Sequence, residues 1–460
     1  MLTELTLIHF KSWCDTEALR LAPITGFFGS NSSGKTSLLQ SLLLLKQTAD
    51  SPDNSLVLQF EGNLVSLGDF RSVIYDHDVG SELTFALKWT EPKPITIKDP
   101  LNPNRFVAQS PALQFQTTIR GENGSGKSLR LVVSNFRYAV GETAFGMRRK
   151  SEQRLDYELF MESEPAASFK FIRNQGRGWQ LPSPTKCYGF PDQARAYYQN
   201  AGFLSDLELA LENLLRRIYY LGPLRAYPER TYLWAGAQPS DMGRAGEQAI
   251  DALLSSRDRE KSISQGKGRK RMSLEEYVAQ WLQTLGLIAE FAVRPVAEGS
   301  QIFQVWVKKT QDAPEVLITD VGFGVSQILP VIVLCFYVPE GSTIILEQPE
   351  IHLHPSVQAG LADVLIDAVK KRKVQIILES HSEHLLKRLQ RRVAEGEWES
   401  ESVALYFCET EASASKITPL QMDLFGNIEN WPKDFFGDQF GEMAETHRTR
   451  MHRIQKETAL

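Results

Sequence analysis

The chain has 460 residues, 42% apolar and 23% charged, with a formal net charge of −5. Such a composition excludes a disordered chain, gives no overall attraction to nucleic acid or anionic membrane, and leaves room for roughly two to four domain-sized units. Four cysteines, Cys14, Cys187, Cys335 and Cys408, lack paired spacing, which points to a reducing compartment and to neither disulfides nor a zinc site.

In chain order, Met-Leu-Thr-Glu-Leu-Thr opens without the basic and long apolar regions of a signal peptide. Leu2, Leu5, Leu7 and Ile8 form a β-prone run before Phe10-Lys-Ser-Trp13. Two stretches then fit the phosphate-loop pattern G-x-x-x-x-G-K-[S/T]: Gly29-Ser-Asn-Ser-Ser-Gly34-Lys35-Thr36, and Gly121-Glu-Asn-Gly-Ser-Gly126-Lys127-Ser128. Such a loop works where a buried strand turns through glycines into a helix, so that backbone N–H groups face the phosphates. The first match has that setting, between the apolar Pro23–Phe28 and the leucine-rich Ser37–Lys46. The second lies between the β-prone segments Phe115–Ile119 and Leu129–Ser134 and reads as the Gly-rich loop of a hairpin.

From about 80 to 210, hydrophobic segments alternate with Gly, Pro and Asn clusters, which predicts a β-rich insertion with loops at Pro92–Arg105 and Gly141–Arg154. A helix is expected over Leu204–Arg217, followed by Ile218-Tyr-Tyr-Leu-Gly-Pro-Leu-Arg225. A basic loop, Lys261–Arg271, precedes a helix over Leu274–Leu285. Beyond 316 a buried helix after 326 is followed by a strand at 342–347, a helix at 356–370 and a strand at 374–379. This alternation implies a mainly parallel sheet in an α/β fold. The longest apolar run, Ile328–Val338, is too short to span a bilayer, so a soluble, cytoplasmic protein without membrane contact is expected.

Four features line up in this second half. Asp320-Val-Gly322-Phe-Gly324-Val-Ser326-Gln327 is a glycine-rich turn directly before the apolar helix. Twenty-one residues after Ser326, the buried strand Ser342–Glu347 ends in a carboxylate, where an ATPase places its Mg²⁺-associated acid. Gln348-Pro-Glu350-Ile-His352-Leu-His354-Pro355 follows, and a further strand ends in Glu379-Ser-His381-Ser382.

With these motifs in this order, the chain resembles the ABC-type ATPase heads of the SMC/RecF/OLD-like branch. It looks like bacterial AAA family ATPases, many of which belong to anti-phage systems, including PtuA-like and retron-associated ATPases. The resemblance covers roughly residues 1–75 and 218–410, with a Trp431-Pro-Lys-Asp-Phe-Phe-Gly437 tail. It implies that Gly29, Ser30, Asn31, Ser32, Ser33, Gly34, Lys35, Thr36 and Ser37 cradle ATP phosphates, while Thr36 and Glu347 organise Mg²⁺. Gly322, Gly324, Ser326 and Gln327 would cap the γ-phosphate held by a second copy, and His381 would sense it. The implied layout is an N-terminal head segment at 1–80, a β-rich insertion at 81–215, the rest of the head at 216–410 and an appendage at 411–460. Homo-oligomers built on an ATP-held pair are expected.

One departure concerns the hydrolytic acid. Relatives usually carry Asp-Glu at the end of the acidic strand, whereas this chain has Glu347-Gln348, and an amide cannot act as a general base. Either Glu350 substitutes, or hydrolysis is slow and the protein works as an ATP-held clamp. For the accessory glutamine of such heads, Gln59 is the candidate, and Arg225 reads equally as a phosphate-facing residue or as part of a turn. His352 and His354 read as a structural loop rather than a metal pair. The basic runs Arg148–Lys150, Lys267–Arg271, Lys370–Lys373 and Lys387–Arg392 leave DNA as a candidate partner. No Asp-x-Asp follows residue 383, so no nuclease site is expected and a separate effector, such as a nuclease, would do any cutting. A RecF-like repair clamp and a nucleotide-gated scaffold are the alternatives.

Overall fold

The computed structural model describes all residues apart from 124–128, 152–153, 164–168, 177–179, 260–261, 265, 267, 269–270, 413, 433–434, 436–444, 446–447 and 451–460. Strands β1 (Leu2–Phe10), β2 (Trp13–Asp15) and β3 (Leu19–Arg20) lead to β4 (Ile24–Gly29) and α1 (Lys35–Asp50). After α2 (Phe70–Val73) come β5 (Leu83–Asp99), β6 (Asn102–Asn123), β7 (Leu129–Val140), β8 (Thr143–Ser151) and β9 (Arg154–Ser163). Next follow α3 (Asp192–Tyr197), α4 (Leu204–Arg216), β10 (Ile218–Leu221), β11 (Tyr232–Leu233) and α5 (Ala249–Asp258). The chain continues with β12 (Ser262–Ile263), β13 (Met272–Ser273), α6 (Leu274–Thr284), β14 (Glu290–Pro295), β15 (Ile302–Lys308) and β16 (Val316–Leu317). It closes with α7 (Phe323–Tyr337), β17 (Thr343–Glu347), α8 (Pro355–Arg372), β18 (Gln375–Glu379), α9 (Glu383–Ala394), β19 (Val403–Glu411) and β20 (Ala414–Leu420).

The site is carried by a six-stranded sheet ordered β10-β17-β18-β4-β19-β20, parallel except for the final hairpin. Every residue of β17 and of β18 is buried, as expected for parallel strands covered on both faces. Their side chains alternate between two cores. Ile345 and Ile377 join Leu38 and Leu42 of α1 and Leu207 and Leu211 of α4. Ile344, Leu346, Ile376 and Leu378 join Val331 of α7, Leu361 of α8 and Leu385 of α9. The expected α/β architecture is thus observed. Its parallel strands all direct their carboxyl ends toward one edge, where open α/β sheets bind ligands.

Other expectations need correction. The predicted loops at Pro92–Arg105 and Gly141–Arg154 are mostly strand, in the hairpins β5–β6 and β7–β8–β9. Pro92 and Pro94 fall within a register shift between Thr90 and Ile95, where a missing N–H is tolerated. In the second predicted loop, only Gly141 and Glu142 turn the chain, between the paired Val140 and Thr143. Strands β5–β9 continue the sheet of the N-terminal strands, since β1 pairs with β5 in the order β2-β1-β5-β6-β7-β8-β9. The proposed boundary at 80/81 therefore falls between paired strands of one sheet, and the one at 410/411 cuts the β19–β20 hairpin. Gly121–Asn123 pairs with Leu129–Leu131, so the second pattern match belongs to a hairpin whose residues 124–128 lie outside the described residues.

One half-buried acid on the helix packed against this second sheet gives a stability prediction. Burial pushes the Glu208 carboxyl on α4 up to about 7, while the Phe190 N–H donates to it. A raised carboxyl pKa means that the folded state binds the proton better, so stability is fullest below the unfolded value and is lost as pH rises through 7. Glu208→Gln should therefore raise the melting temperature at pH 8 by a few degrees, the effect being at most ~3 kcal/mol. At pH 5 it should change little. Equal shifts at both pH values, in calorimetry, would show that the charge of Glu208 is not the cause.

Candidate functional site

The first pattern match forms the turn from β4 into α1. Gly29 has φ 134°, and a Cβ there would lie 1.9 Å from the Cys408 carbonyl oxygen of β19, so only glycine fits. Gly34, at φ 86°, is the residue before α1, and no side chain caps that helix end. Its free N–H groups are left for an anion. A Cβ on Gly34 would meet the hydroxyls of Ser415 and Ser12 at 2.5 and 2.7 Å. Those hydroxyls lie 2.7 Å apart, and the Trp13 indole N–H donates to the Gly34 carbonyl at 3.1 Å. The loop is thus clamped between the 11–13 turn and the β19–β20 hairpin. Inside it, Lys35 Nζ donates to the carbonyls of Ser30 at 2.6 Å and Gly29 at 3.2 Å, and Ser33 Oγ donates to Ser30 O at 2.8 Å. Burial lowers the Lys35 pKa, with Glu379 opposing.

The cleft over this loop is lined by Ser12, Asn31–Ser37, Gln348, Glu379 and His381. Parallel pairing puts Glu347 of β17 directly beside Glu379 of β18. Thr36 Oγ1 donates to Glu379 Oε2 at 2.7 Å, whereas Glu347 Oε1 accepts from the Tyr220 hydroxyl at 3.0 Å. The sequence reading placed Thr36 and Glu347 together and gave Glu379 no role; the strand register brings in this second acid. The available signal was Glu379 itself, the carboxylate ending the strand before His381. Burial, then the neighbouring Glu379, pushes Glu347 up to about 7, and Glu379 is raised by its own burial. Glu379 with the Thr36 hydroxyl offers oxygen donors that suit a hard divalent cation, while Glu347, one strand away, lies outside the cleft lining with Arg244 and Arg225 near it. Among the described residues, no group of three or more His, Cys, Asp or Glu could hold a metal unaided.

The remaining candidates divide. The Gln348 side chain donates to Glu379, and its own N–H donates to the Glu379 carbonyl at 2.9 Å, with the residue at φ 43°. His381 lies at the open side of the cleft, its pKa lowered by partial desolvation of the ring and by the Lys35 charge, which favours the neutral imidazole. Glu350 faces elsewhere: Oε1 accepts the His381 backbone N–H at 2.6 Å, and the carboxylate is buried outside the cleft lining. This geometry makes Glu350 a brace for His381, and its candidacy as general base loses support. The signature residues are also apart from the loop: Gly322 precedes α7, while Gly324, Ser326 and Gln327 sit in its first turn, where Ser326 Oγ donates to Phe323 O at 2.9 Å. None of the four lines the phosphate-loop cleft of the same chain.

Gln59 lies by the far end of α1, where its N–H donates to Thr48 Oγ1 at 3.0 Å, so it is no cleft residue. His354 caps α8 by accepting from the Ser356 N–H, which supports its structural reading. Arg225 is neither exposed nor in the cleft; it is buried behind Glu347, with its pKa lowered to about 10 by burial. The described basic runs are largely neutralised within the chain. Arg148 pairs with Glu158, Arg149 with Glu122, Arg388 and Arg392 with Asp363, Lys371 with Asp367 and Arg372 with Glu340. Of the Lys267–Arg271 run, residues 267, 269 and 270 lie outside the described residues. In the C-terminal tail, residues 433–434 and 436–437 also lie outside them, while Phe435 packs on Phe28 and Phe407 at ring distances of 6.1 and 4.9 Å. Among the described residues no helix is long and apolar enough to cross a membrane.

Residues 248–386 match the family described as AAA ATPase domain, and residues 399–445 match a protein family of unknown function, DUF3696. No curated protein matches the sequence. Among solved structures, the chain is similar to an SMC head bound to the C-terminal winged-helix domain of ScpA, at 10% identity and TM-score 0.45, covering 92% of this chain and 98% of that one. It is also similar to the SMC head domain from Thermotoga maritima, at 11% identity and TM-score 0.38, over 91% and 99% of the two chains. A third is the Pyrococcus furiosus Smc head with an extended coiled coil, at 9% identity and TM-score 0.45, over 91% and 96%. The matched family segments contain β17, β18 and the β19–β20 hairpin, and these flank the phosphate-loop strand in one sheet. The segment that matches the AAA ATPase domain, residues 248–386, thus lies downstream of the Gly29–Thr36 turn and meets its strand in that sheet.

Proposed function

We propose that this protein is a Mg²⁺-dependent ATPase that closes around ATP as a head-to-head pair of copies. The loop N–H groups and Lys35 bind the phosphates; Thr36 with Glu347 and Glu379 holds the metal; His381 contacts the γ-phosphate. When bound, Mg²⁺ neutralises the developing charge on the phosphate oxygens. The observation that carries the pairing is the bare signature turn. A Cβ at Gly322 would meet no atom within 4 Å, and one at Gly324 only Leu287 at 3.6 Å. Neither residue has a positive φ, so the chain's own fold does not require glycine at either place. Glycine there serves an approach from outside, and the γ-phosphate on the loop of a second copy fits it.

Gly324→Gln should therefore fold and bind ATP like the wild type, with its melting temperature unchanged. It should fail to pair in ATP and lose at least ~10² in turnover, the scale of losing a transition-state contact. Light scattering with ATP and Mg²⁺ checks this, and a Gly324→Gln protein that still pairs and hydrolyses would overturn the pairing. Gln348 supports a second reading, a nucleotide-held scaffold with slow turnover, because an amide stands where a general base would. That the pair controls a separate effector in an anti-phage system, a nuclease, rests on the motif resemblance alone. Co-purification with the products of neighbouring genes, with and without ATP, tests that step. Recovery of the protein alone or with DNA would favour a repair clamp instead.

A further inference from the structure

Strand β10 pairs in parallel with β17, Leu221 opposite Leu346, so the turn Gly222-Pro223-Leu224-Arg225 runs beside the loop that carries Glu347 and Glu350. The turn has two sides. Leu224 and Tyr227 are 77% and 75% exposed, and the Tyr227 ring meets Phe323 of the signature turn at 5.9 Å. Arg225 points inward and is only 7% exposed. Its Nη2 reaches the Glu347 carbonyl at 3.4 Å, while Nε and Nη1 have no partner in the protein. Glu350 is less bare: Oε1 accepts the His381 N–H at 2.6 Å, the Ser380 hydroxyl and the residue's own N–H lie against the carboxylate, and Oε2 is buried without a close partner.

Burying a guanidinium with most of its donors unmatched is unfavourable, and an apolar side chain would serve the fold better. The charges facing Arg225 are those of Glu347 and Glu350, with the Tyr220 phenol beside them. We propose that Arg225 is a positioning residue for hydrolysis, which acts by holding the Glu347 carbonyl and engaging Glu350, the brace of His381. The link present in the structure is the 3.4 Å contact with the Glu347 carbonyl, which joins this turn, packed on Phe323 through Tyr227, to the acidic strand. The proposal rests on the reading of the cleft as an ATP site.

The test uses Arg225→Gln and Arg225→Lys in the full chain. For Arg225→Gln, kcat should fall at least ~tenfold while KM and the affinity for a fluorescent ATP analogue stay within ~twofold, the pattern of a contact that matters after binding. Arg225→Lys, which keeps the charge but not the fork, should recover only part of the loss. Melting of the nucleotide-free Arg225→Gln, Glu350→Gln and double variants should show coupling, the double variant losing less than the sum of the singles. Unchanged kcat in the folded variants, or additive melting shifts, would overturn the proposal. If Arg225→Gln does not fold, Arg225→Lys carries the kinetic arm alone. If the wild-type protein neither binds nor hydrolyses ATP, the ATPase reading falls, and the melting cycle still decides the link between Arg225 and Glu350.

Discussion

Lys35→Ala should abolish ATP turnover and weaken ATP binding by ~10²–10⁴, the effect of losing two or so charge-assisted hydrogen bonds to phosphate. The ammonium is already in place: it bridges the Ser30 and Gly29 carbonyls and is only 3% exposed. The nucleotide therefore meets a preorganised cation, and little ordering remains to oppose binding. The fold should survive the change, because the loop is held from outside by Trp13, Ser12 and Ser415. The melting temperature of the nucleotide-free protein should move by a few degrees at most. Lys127→Ala, in the second pattern match, should leave binding and turnover unchanged, since strands flank that segment on both sides. Equilibrium binding of a fluorescent ATP analogue and steady-state phosphate release make the comparison. Wild-type affinity in Lys35→Ala would mean that the nucleotide sits elsewhere.

Gln348→Glu should raise ATP turnover by ~10–10², part of the range that a positioned general base supplies. The side chain at 348 lines the cleft and touches Glu379, one strand away from Glu347. A carboxylate there would stand among two buried acids, and like charge together with burial would lift its pKa toward neutrality, where a base works best. The same crowding has an opposite effect without nucleotide. Replacing a donor to Glu379 by a third acid should lower the melting temperature of the free protein, and ATP with Mg²⁺ should restore it. Unchanged turnover in a variant that still binds ATP would show that the amide is not what limits hydrolysis, and would turn attention to His381.

Much of the site was legible because it depends on local chemistry. A strand-to-helix turn with glycines at 29 and 34 has few other uses, and flanking periodicity separated it from its counterpart at 121–128. The buried acidic strand and the strand ending in Glu379-Ser-His381 could likewise be read from their apolar runs. The loops predicted around Pro92 and Gly141 were misread, because proline at a bulge and glycine in a tight turn carry the same letters as longer breaks. Glu350 was ambiguous for a different reason. Its distance from Glu347 along the chain says nothing about which way its carboxylate faces, and the His381 N–H decides that.

By itself the sequence determined the α/β class, the glycine turn from β4 into α1 and the acid that ends β17, since each follows from residue types within one turn or one strand. Tertiary structure decided the partnerships. Only the parallel register of β17 against β18 pairs Glu347 with Glu379 and brings the latter to Thr36. Only the return of β19 and β20 beside β4 lets Cys408 and Ser415 close on the loop glycines. Only the pairing of β10 with β17 buries Arg225 behind the acids. These contacts join residues that are remote along the chain, and no local propensity encodes them; they arise from closing one sheet between two cores.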